Sequence, residues 1–355
     1  MAAMHSLVDR VVEKIVAGIA AERFPVGGCL PSRKNLAAGL KVGERTVRTA
    51  IARLSAYGVL EVRRRVGAIV LKRPQKRRWL FLDVRSEDNG SCSGSMFSLG
   101  VRRTVEKAGC RYTDLQLSHD GARALNLQPL VKVLNENPDF VLIRAPNCRL
   151  PAVARCVAER GFPYATVSNV VVSRDKCVGN VCFDASQAVG EFVRDCVRAR
   201  IRSVLQVDFG GDSYIDAQSD LEAQGIAVER LATPRGSDYD GLDALVRDAE
   251  RAMSNRLRRG PLPDLVFITD DFLANGAISA LYQRGYRIPK DVKVVSYVNR
   301  GSGFAFLNTM ACLESNPFQE GSNCAKSALH YLRTGSFTPY VNSPVYRRGL
   351  SFPVF

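Results

Sequence analysis

From Trp79 to Val298 the chain repeats one arrangement: a short apolar-rich run, then a segment with helical spacing. The runs WLFLDV, YTDLQL, FVLIRA and YATVSNV are separated by FSLGVRRTVEKAG, LQPLVKVLNEN and LPAVARCVAERG. Strands written as near-continuous apolar runs are buried on both faces, which calls for a parallel sheet covered by helices on each side. The rhythm restarts with a helix near 185–199 and continues through SVLQVDF, SYIDAQSDLEAQG, IAVERLA, LDALVRDAERAMSNRL, DLVFIT, a helix near 271–284 and VKVVSYV. A last helix follows residue 315, then a short strand near 345–351. Two such sets predict two α/β lobes of one kind, with a ligand crevice beyond the C-terminal ends of the strands.

The residues before Trp79 follow different rules. Val8, Val11, Val12, Ile15, Val16 and Ile19 recur at helical spacing, so a first helix is expected over 6–22. FPVGG ends it. Pro31 and Ser32 read as the start of a second helix over 32–40, and after the turn around Gly39 and KVG a third runs from about 44 to 57, stopped by Gly58. VLEVRRRVGAIVLKR, rich in β-branched residues, reads as a hairpin turning at Gly67. Three helices and a hairpin make a winged helix-turn-helix, whose third helix can enter a major groove.

Charge separates the same two parts. Residues 1–78 carry seventeen Lys and Arg against five Asp and Glu, a net +12 of the +15 total, leaving +3 for the other 277 residues. That is the footprint of a part that meets a polyanion while its neighbour does not. KRPQKRR, at 72–78, has the composition of a linker. The expected division is therefore a winged helix-turn-helix over 1–71, a basic linker over 72–78, and a two-lobed α/β domain over 79–355.

The string LPSRKNLAAGLKVGERTVRTAIARLSAYGVLEVRRRVGAIV resembles the DNA-binding domain of the GntR family of bacterial transcription regulators. By that likeness Lys34, Arg45, Thr46 and Arg48 lie where the family touches phosphates and base edges. Arg33, Arg64 and Arg65 join them as candidates for DNA contact, as does Glu44. Two positions depart from the pattern: Gly43 and Glu44 stand for the usual Ser and Arg, and Arg65 stands for the first wing glycine. An acid at position 44 either repels phosphate or accepts from a cytosine amino group and shifts sequence choice.

DLVFITDDFLANGAISALYQRGYRIPKDVKVVSYVN resembles the effector domain of the LacI/GalR family, and PDFVLI, FPYATVSN and LNTMACLESNPFQEGSNCAKSALHYLRTG continue the likeness in order. The resemblance implies a periplasmic-binding-protein-like fold and a small-molecule effector, a sugar or related metabolite. Its ligand positions fall on Asp184, Ser213, Asp270, Asp271, Val298 and Asn299. The family's clamp arginine falls near Ser213, and no Arg or Lys lies between Arg202 and Arg230; the acid of its GfDd segment falls on Val298. Asp184 with Gln187 fits a capping box equally well, Asp271 fits an N-cap, and Gly276 fits a close helix contact. Phe209, Tyr214, Tyr297 and Phe304 either stack on a ligand or pack in the core.

Two functions follow from this reading. One is a repressor that binds double-stranded DNA at a palindromic operator as a homodimer and answers to a small effector. The other is a DNA-binding regulator whose second domain has lost its ligand and serves for dimerisation or protein partners. An enzyme is not expected, because the chain has no G-x-S-x-G, no phosphate-binding glycine loop and no H-E-x-x-H. No cofactor is expected. Ten dispersed cysteines without a C-x-x-C pair read as buried free thiols, and with His5, His119 and His330 far apart in sequence no zinc site is implied. Charges interrupt the N-terminal apolar stretch and no run of eighteen apolar residues occurs, so a cytoplasmic protein away from membranes is expected.

Overall fold

The computed structural model describes residues 7–56, 58–72, 77–86, 92–119, 125–169, 175–210, 215–233, 242–301 and 309–354. The chain divides into two units, Met1–Lys76 and Arg77–Phe355.

In the first unit, α1 (Leu7–Ala20) buries Val11, Ile15 and Ile19, each four residues from the last. Helix α2 (Arg33–Leu40) starts at Ser32, whose side chain accepts from the Asn35 amide at 3.2 Å. It ends at Lys41, which adopts the left-handed conformation, φ 52°. Helix α3 (Glu44–Ala56) turns Val47, Ala50, Ile51 and Leu54 into the shared core. The wing is an antiparallel pair, β1 (Leu60–Arg63) and β2 (Gly67–Val70), with Leu60 opposite Val70 and Arg63 opposite Gly67. Its turn is Arg64-Arg65-Val66, ahead of the position expected from Gly67, and Arg65 takes the positive φ (66°) that glycine adopts without cost. Gly67 instead opens the second strand. The segment entering α2 also joins the wing: the Leu30 amide bonds Ala68 at 2.8 Å and the Val70 amide bonds Gly28 at 2.9 Å.

The second unit contains two six-stranded sheets. The first comprises β3 (Arg78–Ser86), β4 (Arg111–His119), β5 (Phe140–Arg144), β6 (Tyr164–Val167), β7 (Cys177–Phe183) and β13 (Tyr340–Asn342). Its order is β13-β7-β6-β5-β3-β4, and every pairing is parallel. The second holds β8 (Ser203–Asp208), β9 (Ala227–Ala232), β10 (Leu265–Ile268), β11 (Lys293–Asn299), β12 (Ala311–Ser315) and β14 (Val345–Arg347). Its order is β14-β12-β11-β10-β8-β9, with only β14 antiparallel. The apolar runs are explained by two-sided burial. In β3, Trp79 and Phe81 face one core while Leu80, Leu82 and Val84 face another; in β10, Leu265 and Phe267 split from Val266 and Ile268 in the same way.

The first lobe carries α4 (Cys92–Lys107), α5 (Gln128–Leu134), α6 (Leu150–Ala158) and α11 (Pro317–Thr334). The second carries α7 (Ser186–Arg198), α8 (Gln218–Glu222), α9 (Leu242–Leu257) and α10 (Asp271–Gln283). Glycines set two close helix crossings. A Cβ on Gly276 of α10 would lie 2.8 Å from the Glu250 amide nitrogen of α9, as expected for a packing glycine. A Cβ on Gly321 of α11 would lie 2.9 Å from the Phe97 carbonyl carbon of α4.

The chain passes between the lobes three times, from β7 to α7, from β12 to α11 and from β13 to β14. The first two passages leave the C-terminal ends of β7 and β12, each the second strand in its sheet. The third joins them through the Asp184 amide, which bonds the Asn342 carbonyl at 2.9 Å. Three short connections joining two lobes are a hinge in form, and they place the C-terminal edges of both sheets at the crevice.

Candidate nucleic-acid interface and interlobe cleft

The exposed side of α3 is set by the residues its core face does not use. Arg45 stands three and four residues before Arg48 and Thr49, and Ala52 four and three after them, so the four share the side opposite Val47, Ile51 and Leu54. Arg45 and Arg48 are exposed, Thr46 is half-buried, and the Thr49 hydroxyl turns back to the Arg45 carbonyl at 3.0 Å. Glu44 is exposed in the first turn, where a carboxylate is favoured by the helix dipole. Arg33 and Lys34 are exposed in the first turn of α2, and Arg64 and Arg65 at the wing tip. Among the described residues none of these six cations has an ion-pair partner, whereas Arg63 beside them is held by Glu61 at 2.8 Å. A cation left without a carboxylate keeps its charge available to a phosphate.

In the second unit the cleft-facing strand ends carry single charges that close otherwise apolar runs. Asp83 is buried in the second half of β3, between Leu82 and Val84, and its Oδ1 lies 3.2 Å from the Nε of Arg144, the last residue of β5. The Arg144 guanidinium rests over the Phe97 ring, 5.3 Å from its centroid. Nearby Glu320, in the first turn of α11, is pushed up by burial against the Ser315 hydroxyl, the Asn316 amide and Arg144. Asp208, fully buried at the end of β8, accepts from Arg230 at 3.0 Å (Nε) and 2.5 Å (Nη2), from Gln206 at 3.1 Å and from the Gly210 amide at 2.8 Å. Glu314 is clasped by Arg300 and Arg347. Sequence reasoning missed these groups, although Asp83, Arg144, Asp208 and Glu314 had a signal: one charge at or near the end of a strand-length apolar run.

The expected ligand residues divide. Asp271 and Asn299 meet: Asp271 Oδ2 accepts from the Asn299 amide at 3.1 Å and its side-chain nitrogen at 3.4 Å. Tyr297 donates to Asn299 Oδ1 at 3.3 Å, and burial pushes its phenol up. Asp270, not Asp271, is the N-cap of α10, accepting from the Phe272 and Leu273 amides at 2.8 and 3.3 Å. Asp271 follows as the first helical residue and ties the helix to β11. Val298 turns into the core formed with Leu273, Ala274 and Val294, since the strand's alternation points its side chain under α10. Asp184 is exposed on the first interlobe passage, and the Ser186 hydroxyl (2.5 Å) and amide (2.9 Å) hold its carboxyl below the usual range. The capping box expected with Gln187 does not form, because Gln187 bonds Glu191 at 3.1 Å instead. Ser213 lies outside the described residues, as do Tyr214 and Phe304. Phe209 packs against the α10 core and Tyr297 against that of α7.

The cysteines differ from expectation in part. Cys156, Cys196, Cys312 and Cys324 are buried, but Cys29 and Cys148 are exposed, and all those described are free thiols. Among the described residues no helix is long and apolar enough to cross a membrane.

Residues 7–70 match the family described as bacterial regulatory proteins, gntR family, and residues 211–333 match the periplasmic binding protein-like domain. The HTH-type transcriptional repressor PurR of Pasteurella multocida is 38% identical over 52 residues, 15% of this chain and 16% of that protein. The HTH-type transcriptional repressor MelR of Bacillus subtilis is 36% identical over 52 residues, 15% of each. The chain thus matches about a sixth of the length of these curated relatives. Among solved structures, a LacI family transcriptional regulator from Enterococcus faecium with bound ribose superposes with a TM-score of 0.62 at 14% identity, over 79% of this chain and 100% of that one. A LacI family regulator from Arthrobacter sp. FB24 in complex with lactose gives 0.61 at 16% identity, over 78% and 100%. The Lac repressor bound to ONPG gives 0.57 at 14%, over 87% and 90%. These likenesses establish the fold: an N-terminal helix-turn-helix domain and a two-lobed α/β domain with mainly parallel sheets.

Proposed function

We propose that this chain, a GntR-type helix-turn-helix domain joined to a periplasmic-binding-protein-like domain, is a bacterial transcription repressor whose grip on DNA is set by a small effector. The observation that carries the reading is the exposed cationic side of α3, where Arg45 and Arg48 have no carboxylate partner among the described residues. Arg48 and Thr46 read base edges, Glu44 adjusts base choice, and Arg33, Lys34, Arg45, Arg64 and Arg65 hold phosphates. Two chains pair as a homodimer and set two recognition helices roughly 34 Å apart on a palindromic operator.

The effector occupies the interlobe cleft, near Asp184, Asp270, Asp271 and Asn299, with Arg144 available to it from the first lobe. The ribose and lactose bound by the neighbouring structures make a sugar the first class to test. A ligand that favours one hinge angle shifts the spacing of the two readers, and only its difference in affinity between the two states can drive the change. The protein acts in the cytoplasm and carries out no chemical reaction.

Selection of bound sites from random duplex DNA tests the reader and the symmetry together. A palindromic consensus is expected; no enrichment at low salt refutes the reading. Thermal melting against sugars, nucleosides and amino acids tests the cleft, where a true effector at a hundredfold excess over its Kd adds about 2.7 kcal/mol. No shift with any of them overturns the effector part alone.

A further inference from the structure

The first unit holds a concavity of about 370 Å³ between α1 and the C-terminal end of α2. That is within the range of small-molecule sites, about 300–1,000 Å³. Its floor is apolar: Ile15 and Leu36 are buried there, and Phe24 and Leu40 form half-buried walls. The wall is built in by sequence, since Gly18 has no side chain and a Cβ there would fall 2.6 Å from the Cδ2 atom of Phe24. Three exposed cations, Lys14, Arg23 and Lys41, stand around the rim, and among the described residues none has a carboxylate within ion-pair distance. None of the residues assigned to DNA contact lines it.

One feature separates this rim from ordinary surface charge: three cations border one apolar floor. Like charges gathered around a low-dielectric floor repel each other, and an anion entering between them relieves that repulsion. Lys41 closes α2 in the left-handed conformation, its amide bonding the Ala37 and Ala38 carbonyls, so its place beside the concavity is fixed by the end of the helix. A bare phosphate gains nothing from Ile15, Phe24, Leu36 and Leu40, and a neutral hydrocarbon gains nothing from the three cations. The chemistry satisfied by both is an amphiphilic anion.

We propose that this concavity is a second ligand site, on the DNA-binding unit itself, for a small organic acid with a flat or branched apolar body and one anionic head. The body covers Ile15 and Leu36 while the head meets Lys14, Arg23 and Lys41. This is independent of the interlobe cleft and of the effector proposed for it.

The test uses the full chain, with 2-naphthoate as probe and 2-naphthamide as its neutral counterpart, followed by isothermal titration and saturation-transfer NMR. Naphthoate is expected to bind, and the amide to bind at least tenfold more weakly. Lys14→Gln/Arg23→Gln/Lys41→Gln should weaken naphthoate at least tenfold. Gly39 lines the site and a Cβ there meets no atom within 4 Å, so Gly39→Trp should block it without disturbing the core. Lys41→Gly removes one rim charge at a position where glycine fits the backbone, so a loss of binding there cannot be ascribed to unfolding. Absence of binding at millimolar naphthoate, equal affinity for the amide, or affinity unchanged in the triple and Gly39→Trp variants would each overturn the proposal, the last by placing the probe elsewhere.

Discussion

Replacing Gly321 by Ala and Gly190 by Ala makes the same chemical change in two helices, and the structure requires opposite outcomes. On α11, the new Cβ of Gly321→Ala falls 2.9 Å from the Phe97 carbonyl carbon and nearer still to its oxygen, where ordinary contact begins at 3.4 Å. The obstacle is the backbone of α4, which cannot rotate away as a side chain would, so the helices must separate. Overpacking of this kind costs about 1–3 kcal/mol, and a backbone clash belongs at the upper end. Alanine returns about 1 kcal/mol through helix propensity, leaving a net loss of about 2 kcal/mol. On α7, a Cβ at Gly190 meets only the Arg194 Nη1 at 3.6 Å, so Gly190→Ala keeps the propensity gain of about 0.5–1 kcal/mol. Urea unfolding followed by circular dichroism should separate the two variants by about 3 kcal/mol. Thermal midpoints should move by roughly 2 °C per kcal/mol, downward for the first and upward for the second. Because α11 begins at the second interlobe passage, Gly321→Ala should also blunt the melting response to any cleft ligand. A neutral or stabilised Gly321→Ala would mean that α4 and α11 are not in backbone contact, and the packing assigned to this pair would be wrong.

Three further outcomes can be checked. Arg48→Ala should weaken binding to a selected DNA site by about 1–3 kcal/mol in fluorescence anisotropy, with the thermal midpoint of the second unit unchanged. Arg65→Gly relieves the positive φ at the wing tip, so it should leave stability equal or slightly higher while lowering the slope of log affinity against log salt by about 0.9, the contribution of one phosphate. Asp195 is buried, and Arg348, bonded to it at 2.7 and 2.8 Å, holds its carboxyl below the ordinary range. A depressed carboxylate contributes stability that is full above its unfolded value, about 3.9, and is lost as pH falls through the lower folded value. Asp195→Asn should therefore be less stable than the parent in urea unfolding at neutral pH, and the difference should close only below about pH 4.

The parts of the site that were legible were those written locally. The spacing of Val47, Ala50, Ile51 and Leu54 assigned Arg45 and Arg48 to the opposite side of α3, because a helix fixes side-chain direction within a few residues. Gly276 was readable as a contact glycine for the same reason. The cleft was less so. Asp270 and Asp271 are adjacent, and nothing local says that the first caps its own helix while the second reaches Asn299, twenty-eight residues on. The ion pairs Asp83–Arg144 and Asp208–Arg230 join neighbouring strands, so they exist only once the sheet order is known.

By itself the sequence determined the two-part organisation, the helix-turn-helix with its basic face, and two lobes of buried parallel strands, since apolar period and charge distribution are properties of short segments and of sums. Only the tertiary structure decided that β13 and β14 go to opposite lobes, that three passages form the hinge, and that Lys41 and Arg65 sit at left-handed backbone. Those depend on which distant segments come together and on the angle at which a turn must close, and neither is encoded in the spacing of neighbouring residues.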